Sequence, residues 1–109
     1  MHELGIAMEI AELAVERAGA ASVKRVVVEV GRLTAVLPDA LAFAWDAATE
    51  GSALEGCPLE IVIVMGRGRC KVCSNELELT MPFGRCACGN TDLELTAGED
   101  LRIRELEVS

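Results

Sequence analysis

The sequence has few aromatic residues and few basic ones. Aromatic residues make up 3% of the 109 positions and tyrosine is absent, so a core must be built from Val, Leu, Ile and Ala. Eighteen Asp and Glu against ten Lys and Arg give a formal charge of −8. This balance argues against a general nucleic-acid binder, because such a protein needs a basic face for the phosphates.

Long apolar runs are also lacking. The longest uninterrupted run, Ala40–Trp45, is far shorter than the ~20 residues of a membrane helix, so we expect no membrane insertion. No basic start followed by an apolar stretch indicates a signal peptide. Without an export signal, five Cys favour a reducing compartment, where grouped Cys bind metal more often than they form disulfides. We therefore expect a cytoplasmic protein.

The first two thirds of the chain alternate between helical and strand patterns. Helices are predicted over His2–Gly19 and from Pro38, and strands over Val23–Val30 and Leu59–Met65. The predicted apolar side of the first helix consists of Leu4, Met8, Ala11, Val15 and Ala18. That of the second consists of Leu41, Ala44, Trp45 and Ala48. This order predicts a compact two-layer α/β unit.

The composition then changes. Gly66–Arg69 is interpreted as a break, and residues 69–96 hold four of the five Cys with little that could form a core. Leu101–Val108 alternates apolar and polar residues, so we expect it to return to the sheet of the first unit. The sequence therefore predicts an α+β fold with a discontinuous domain, 1–66 plus 99–109, and an inserted domain, 67–98.

An internal near-repeat lies within the inserted domain. Arg69–Thr80 and Arg85–Thr96 each contain two Cys followed by Leu-Glu-Leu-Thr, and they align without gaps except that the later copy's second Cys comes one place early. Two such halves facing each other are typical of a zinc ribbon.

Four cysteines have the ligand number of a structural zinc site: Cys70, Cys73, Cys86 and Cys88. About thirty residues cannot order themselves by apolar burial alone, and metal binding can supply the missing free energy. A redox dithiol, unrelated buried thiols, and iron in place of zinc remain alternatives. Cys57 lies outside the pattern and is interpreted as a small buried residue.

The single histidine is His2. Alone, it would be an ordinary surface residue. Together, however, the Met1 amine, the His2 amide nitrogen and its imidazole can close two adjacent chelate rings, which suit square-planar Ni(II) or Cu(II). Glu3 is either an auxiliary ligand or orienting group, or a first-turn Glu favoured by the helix dipole; both roles can hold at once.

Three motifs together resemble a known family. Met1-His2-Glu3-Leu4, the Cys pattern near residues 70–88, and the segment 98–108 (GEDLRIRELEV) are similar to the HypA/HybF family of nickel metallochaperones, in order and over the whole chain. The second knuckle, Cys86-Ala87-Cys88, is one residue shorter than the family's Cys-x-x-Cys. The chain also has no second His to approach nickel.

The resemblance implies a specific function. Ni(II) cargo would bind at the N-terminus through His2, with Glu3 affecting the site, and Zn(II) would be held structurally by the four cysteines. It further implies an α/β nickel-binding domain joined to a zinc domain. The implied partners are a HypB-type GTPase and the [NiFe]-hydrogenase large-subunit precursor, and some members also serve urease.

Other function classes explain less of the sequence. No nucleophile–base pair or phosphate-binding Gly-rich motif is present, so we expect a carrier and not an enzyme. The alternative, a zinc-ribbon protein-interaction module without a nickel role, leaves His2 and the terminal motif to chance. A thiol–disulfide oxidoreductase would need an exposed thiol of low pKa that is not committed to metal.

Overall fold

The structure is a computed structural model that describes the backbone of residues 2–109 and the side chains from residue 3 onward. It contains two α-helices, a short 3₁₀ helix at Arg32–Thr34, and six strands. The helices are α1 (His2–Ala18) and α2 (Pro38–Thr49). The strands are β1 (Val23–Gly31), β2 (Leu59–Val64), β3 (Gly66–Cys70), β4 (Glu76–Leu79), β5 (Leu93–Ala97) and β6 (Leu101–Val108).

The chain forms two compact units. The helical unit comprises residues 1–29, 36–62 and 102–109, and the cysteine unit comprises residues 30–35 and 63–101. Compactness alone does not measure independent folding. The division into domains 1–66 plus 99–109 and 67–98 therefore stays a prediction, which zinc removal can test.

The helical unit combines the two helices with strands of a mixed three-stranded sheet of order β2-β1-β6. Ser22 and Ser109 exchange both backbone hydrogen bonds, so β6 runs antiparallel to β1. The prediction that the last strand joins the first sheet is confirmed. The predicted α+β fold, with two helices on a small mixed sheet and a second cysteine-bearing sheet, is also confirmed.

The core of the helical unit is aliphatic apart from one tryptophan. Val26 and Val28 of β1 and Leu41 of α2 are fully buried, and Trp45 is nearly so. Trp45 Nε1 donates a 2.7 Å hydrogen bond to the Cys57 carbonyl, so the indole's one polar group is satisfied inside the core. The predicted inner side of α2 is confirmed at Leu41, Ala44 and Trp45, with Thr49 buried below them.

The predicted apolar side of α1 is wrong. Ala7, Ile10 and Ala14 are buried, whereas Leu4 and Met8 are about half exposed. Both sets have helical spacing, because α1 is apolar over more than one stripe. The buried stripe is richer in alanine, and small side chains allow α1 to approach α2 closely, with which it makes extensive contacts.

The cysteine unit contains an antiparallel three-stranded sheet of order β4-β3-β5. The two Leu-Glu-Leu segments form β4 and β5 as predicted, and β3 lies between them. Gly68 is opposite Leu77 on one side and Leu95 on the other. The Leu-Glu-Leu segments of the two repeats thus pair with a common central strand.

The interpretation of Gly66–Arg69 as a break is wrong, because these residues lie in β3. A Cβ added at Gly66 would come within 2.5 Å of the Leu79 carbonyl oxygen, and one added at Gly68 within 2.9 Å of Leu79 Cδ1. Glycine here permits close approach within a sheet instead of ending a strand.

No helix in the described part of the chain has both the length and the hydropathy needed to cross a bilayer.

Candidate metal centre

The four predicted zinc ligands come together in the cysteine unit. The Sγ atoms of Cys70, Cys73, Cys86 and Cys88 all lie within 4.8 Å of one another. Cys70 and Cys86 are buried, whereas Cys73 and Cys88 are exposed. The pairs Cys70–Cys88 and Cys73–Cys86 have Sγ separations of 3.6 and 3.4 Å, so each close pair joins the two knuckles.

The first knuckle wraps backbone N–H groups around one sulfur. Cys70 Sγ accepts hydrogen bonds from the backbone N–H groups of Val72 (3.4 Å) and Cys73 (3.5 Å). The turn closes where the Cys70 N–H donates to the Asn75 carbonyl at 2.9 Å. Ser74, just before Asn75, is left-handed with φ 65°. These backbone N–H groups therefore point at Cys70 Sγ, where they can stabilise the negative charge of a thiolate.

The second knuckle is one residue shorter but closes in the same way. The Cys86 N–H donates to the Asn90 carbonyl at 2.9 Å, and the preceding residue, Gly89, is left-handed with φ 96°. The Gly89 N–H donates to the Cys86 carbonyl at 2.8 Å. The missing residue is therefore absorbed inside the turn, and Cys88 still reaches the cluster.

Hydrogen bonding favours the thiolate form of Cys70. The backbone N–H of Cys73, and next the side-chain amide of Asn90, lower the pKa of the Cys70 thiol from its ordinary value to about 6. Without metal, the folded site therefore holds one stabilised thiolate near neutral pH.

The neighbouring thiols of the cluster hold their protons more tightly. A backbone hydrogen bond from Asn75 lowers the pKa of Cys73, but the adjacent thiols, Cys86 foremost, outweigh it and raise that pKa to about 12. Likewise, a backbone bond from Asn90 lowers the pKa of Cys88, and the thiols of Cys70 and Cys86 raise it overall. Four thiolates at such separations require a cation.

The donor set fits zinc. A tetrahedral Zn(II) with Zn–S bonds of ~2.3 Å separates its sulfurs by roughly 3.8 Å, close to the spacing of the cluster. Four sulfur donors without oxygen favour Zn(II) or iron over Mg(II) or Ca(II). The backbone donors at Cys70 Sγ supply the outer hydrogen bonds that such a site uses to offset its negative charge.

Three of the basic residues beside the cysteines pair with carboxylates. Arg67 and Arg69 both contact Glu76, at 3.4 and 3.9 Å, and Lys71 contacts Asp92 at 3.3 Å. These pairs are largely exposed and stabilise the fold little. The charge near the sulfurs is therefore offset mainly by N–H donors.

Cys57 is separate from the cluster. It belongs to the helical unit and is partly buried, and its backbone carbonyl accepts the hydrogen bond from the Trp45 indole. Burial raises the pKa of its thiol, as expected for a side chain that packs and does not ligate.

The predicted nickel residues lie at the edge of what the structure describes. Met1 and the His2 side chain lie outside the described residues. The His2 backbone begins α1, and Glu3 is half-buried in the first turn. Since a helix leaves its first four N–H groups without an intrahelical acceptor, the His2 amide is not committed to the helix ladder.

Asn90 is a residue that the sequence analysis missed. Its side-chain Nδ2 donates to Cys70 Sγ at 3.3 Å, across the two knuckles. A signal was present, because Cys73-Ser74-Asn75 and Cys88-Gly89-Asn90 match when the second Cys of each pair is aligned. The gapless alignment of the repeats places Asn90 opposite Ser74 and hides this correspondence.

Known proteins resemble this chain over nearly its whole length. The family described as "Hydrogenase/urease nickel incorporation, metallochaperone, hypA" matches residues 1–108. A hydrogenase maturation factor HypA of Nostoc punctiforme is 46% identical over 108 residues, covering 99% of this chain and 96% of the relative. That of Geobacter metallireducens is 40% identical over 109 residues, covering 99% of each.

A solved structure also matches the fold. The solution structure of the Ni metallochaperone HypA from Helicobacter pylori aligns with a TM-score of 0.70 at 26% identity, covering 97% of this chain and 96% of that one. The matches extend through both units. The chain therefore belongs to the HypA family and is a nickel metallochaperone of hydrogenase maturation, not an enzyme.

Proposed function

We propose that this chain binds Ni(II) as cargo at its N-terminus, through the Met1 amine and the amide and imidazole nitrogens of His2. Membership of the nickel-incorporation family is the observation that carries the proposal. The start of α1 at His2 supports it, because nickel can replace the His2 amide proton without breaking a helix hydrogen bond. Three nitrogens in adjacent chelate rings suit square-planar Ni(II).

Protons compete with the cargo for these nitrogens. An unperturbed terminal amine has a pKa of about 7.7–8 and an imidazole about 6.5, so nickel must displace protons near neutral pH. Such a site can release its metal, as a carrier must. Glu3, half-buried beside it in the first turn, is proposed to orient or complete the site, and its charge also suits the helix N-terminus.

The four clustered cysteines are proposed to hold Zn(II) in a purely structural role. The support is the mutual approach of four sulfurs within 4.8 Å and the backbone N–H groups that face Cys70 Sγ. When bound, zinc would supply a cross-link between the two knuckles and the free energy that orders them.

Delivery of the cargo requires partners. We propose a HypB-type GTPase, since the sequence has no phosphate-binding Gly-rich motif of its own. The acceptor is proposed to be the [NiFe]-hydrogenase large-subunit precursor, and the family's description also admits urease. The cytoplasm is the proposed site of action.

Replacing His2 tests the nickel site. In His2→Ala, nickel uptake measured by calorimetry and by the visible absorption of square-planar Ni(II) should be lost, while one zinc per chain and the fold remain. Undiminished nickel binding with intact zinc would reject the N-terminal site. Absence of nickel binding in the unsubstituted protein, with zinc bound, would favour the alternative function, a zinc-ribbon interaction module without a nickel role.

The contribution of Met1 and that of Glu3 can be separated. A peptide tag before Met1 turns the amine into an amide and should block uptake, whereas the same tag at the C-terminus should not. Glu3→Gln should weaken binding if the carboxylate takes part in the site. Glu9→Gln, on the exposed surface of the same helix, is the matched control. Equal affinities of the two variants would remove Glu3 from the site.

A further inference from the structure

The side chain of Asn90 is fixed by bonds on both sides of its amide. Nδ2 donates to Cys70 Sγ at 3.3 Å and to the Asp92 carbonyl at 2.9 Å. Oδ1 accepts the Asp92 backbone N–H at 3.2 Å. Because Oδ1 must face that N–H donor, the amino group must face the sulfur, and a flipped amide would place oxygen against both the thiolate and a carbonyl.

Neighbouring backbone holds this arrangement in place. The Asp92 carbonyl that receives Asn90 Nδ2 also accepts the Lys71 backbone N–H at 3.3 Å. Asn90 thus connects the second knuckle, through Asp92, to the residue that directly follows Cys70. A side chain held in this way presents its N–H to the sulfur without having to be ordered by the metal.

The Asn90 side chain completes the hydrogen bonds around Cys70 Sγ. Cys70 Sγ receives two N–H bonds from its own knuckle, and Asn90 supplies a third from the opposite one. Cys88 Sγ lies 3.6 Å from that of Cys70, so the sulfur that the Asn90 side chain contacts is also the one that approaches Cys88. Donors of this kind withdraw charge from sulfur and orient it.

We propose that Asn90 is a positioning residue of the four-thiolate site, whose side-chain N–H fixes Cys70 Sγ from the opposite knuckle and thereby sets how tightly zinc is retained. The proposal rests on zinc occupying the four cysteines. It also explains how the shortened Cys86-Ala87-Cys88 knuckle remains compatible with a four-thiolate site, since a side-chain bond between the knuckles adds to those made by the turns.

Asn75 provides a matched control. It closes the first knuckle as Asn90 closes the second, with its carbonyl accepting the Cys70 N–H. Its side chain is exposed, and its part in the knuckle is made through the backbone. Asn75→Asp therefore introduces the same change of residue and of charge as Asn90→Asp, in the same unit. It does so at a side chain that does not face Cys70 Sγ.

Zinc retention is the first measurement. Full-length Asn90→Asp, Asn90→Ala and Asn75→Asp proteins are titrated with a chromophoric chelator. Loss of an outer-shell partner typically weakens metal affinity by about 10–100-fold, which we expect for Asn90→Ala. Asn90→Asp should weaken it more, because a carboxylate would face the thiolate. Asn75→Asp should stay close to the unsubstituted protein.

The cobalt spectrum distinguishes positioning of the sulfur from general damage to the fold. With Co(II) in place of zinc, the loss of an N–H donor in Asn90→Ala should move the sulfur-to-cobalt charge-transfer band to lower energy, while tetrahedral d–d bands persist. Weaker zinc binding without this band shift would make Asn90 merely structural and would overturn the proposal.

The possible failures are separable. If the unsubstituted protein gave no four-thiolate cobalt spectrum, the zinc assignment itself would fail. If that spectrum is present and Asn90→Asp retains zinc as well as Asn75→Asp does, only the role of Asn90 is rejected. A shifted charge-transfer band in Asn90→Ala, with the Asn75→Asp spectrum unchanged, would support the role, whereas complete loss of cobalt binding in both Asn90 variants would make Asn90 merely structural and reject it.

Discussion

The helical unit and the cysteine unit bury different kinds of side chain. In the helical unit the buried residues are aliphatic chains, Trp45 and Thr49, contributed mainly by the two helices and β1. In the cysteine unit the buried residues include Val30, Leu79, Cys70 and Cys86, and the other buried positions of β3 are glycines, whereas its arginines are exposed. The first composition can order a chain by apolar burial. The second cannot, so metal binding must supply the difference.

Zinc removal should have the largest effect and should be confined to one unit. Zinc contributes roughly 10–16 kcal/mol to small zinc-binding peptides near neutral pH, far more than a single core side chain. With a strong chelator, amide exchange in residues 69–96 should become fast while α1, α2 and β1 stay protected. Simultaneous loss of protection in both units would show that the predicted domain division is misplaced.

A core substitution in the helical unit should destabilise that unit and leave zinc binding in the cysteine unit unchanged. Ile10 is 2% exposed, so Ile10→Ala should lower the free energy of unfolding of this unit by about 2–5 kcal/mol through lost burial and a cavity. Leu13→Ala, on the same helix but 41% exposed, should cost about 1 kcal/mol or less. Denaturant unfolding followed by helix circular dichroism measures both. Release of zinc by Ile10→Ala under native conditions would argue against independent stabilisation of the helical unit and the cysteine unit.

Glycine substitutions should act in opposite directions in the two units. Gly66→Ala places a Cβ against the Leu79 carbonyl and should destabilise the cysteine unit by about 1–3 kcal/mol. Gly5 lies in α1 with nothing within 4 Å of an added Cβ, so Gly5→Ala should stabilise the helical unit by about 0.5–1 kcal/mol. Amide exchange in β3 and in α1 measures each effect. A neutral Gly66→Ala would mean that the strand contacts relax freely.

Proton release on zinc binding gives the smallest and most specific signal. In the folded, metal-free site the pKa of Cys70 is lowered to about 6. Its thiolate therefore stabilises the folded site fully at a pH above the ordinary thiol pKa, and this stabilisation is lost as the pH falls through about 6. If the cysteine unit unfolds without zinc, Cys70 regains its ordinary pKa. Zinc binding at about pH 7.5 should then release close to four protons, one from each thiol.

Calorimetry in buffers of different ionisation enthalpy counts these protons. A count close to three would indicate that Cys70 is already a thiolate before zinc arrives. The hydrogen bonds of the first knuckle would then survive metal removal, which would contradict the expected unfolding of the cysteine unit.

Sequence patterns predicted the features that depend on local chemistry. The strand at Leu101–Val108 matches its predicted bounds, because alternation is a direct consequence of a half-buried strand. Pro38 marked the start of α2, since proline suits a first helical turn. The grouping of four cysteines also followed from their number and spacing.

Features that depend on tertiary packing were not predictable in this way. The choice of Ala7, Ile10 and Ala14 over Leu4 and Met8 as the inner stripe of α1 depends on how closely α2 approaches. The strand at Gly66–Cys70 depends on space beside Leu79. Asn90 reaches Cys70 only after two segments distant in sequence have folded together.

Nickel and zinc are proposed to occupy chemically distinct sites, with nitrogen donors from Met1 and His2 for nickel and sulfur donors in the cysteine unit for zinc. X-ray absorption on protein loaded with one equivalent of each metal tests it directly, because the two edges report separately. We expect nitrogen and oxygen neighbours alone at the nickel edge and four sulfurs at ~2.3 Å at the zinc edge. Sulfur neighbours at nickel, with the same spectrum in His2→Ala, would contradict it.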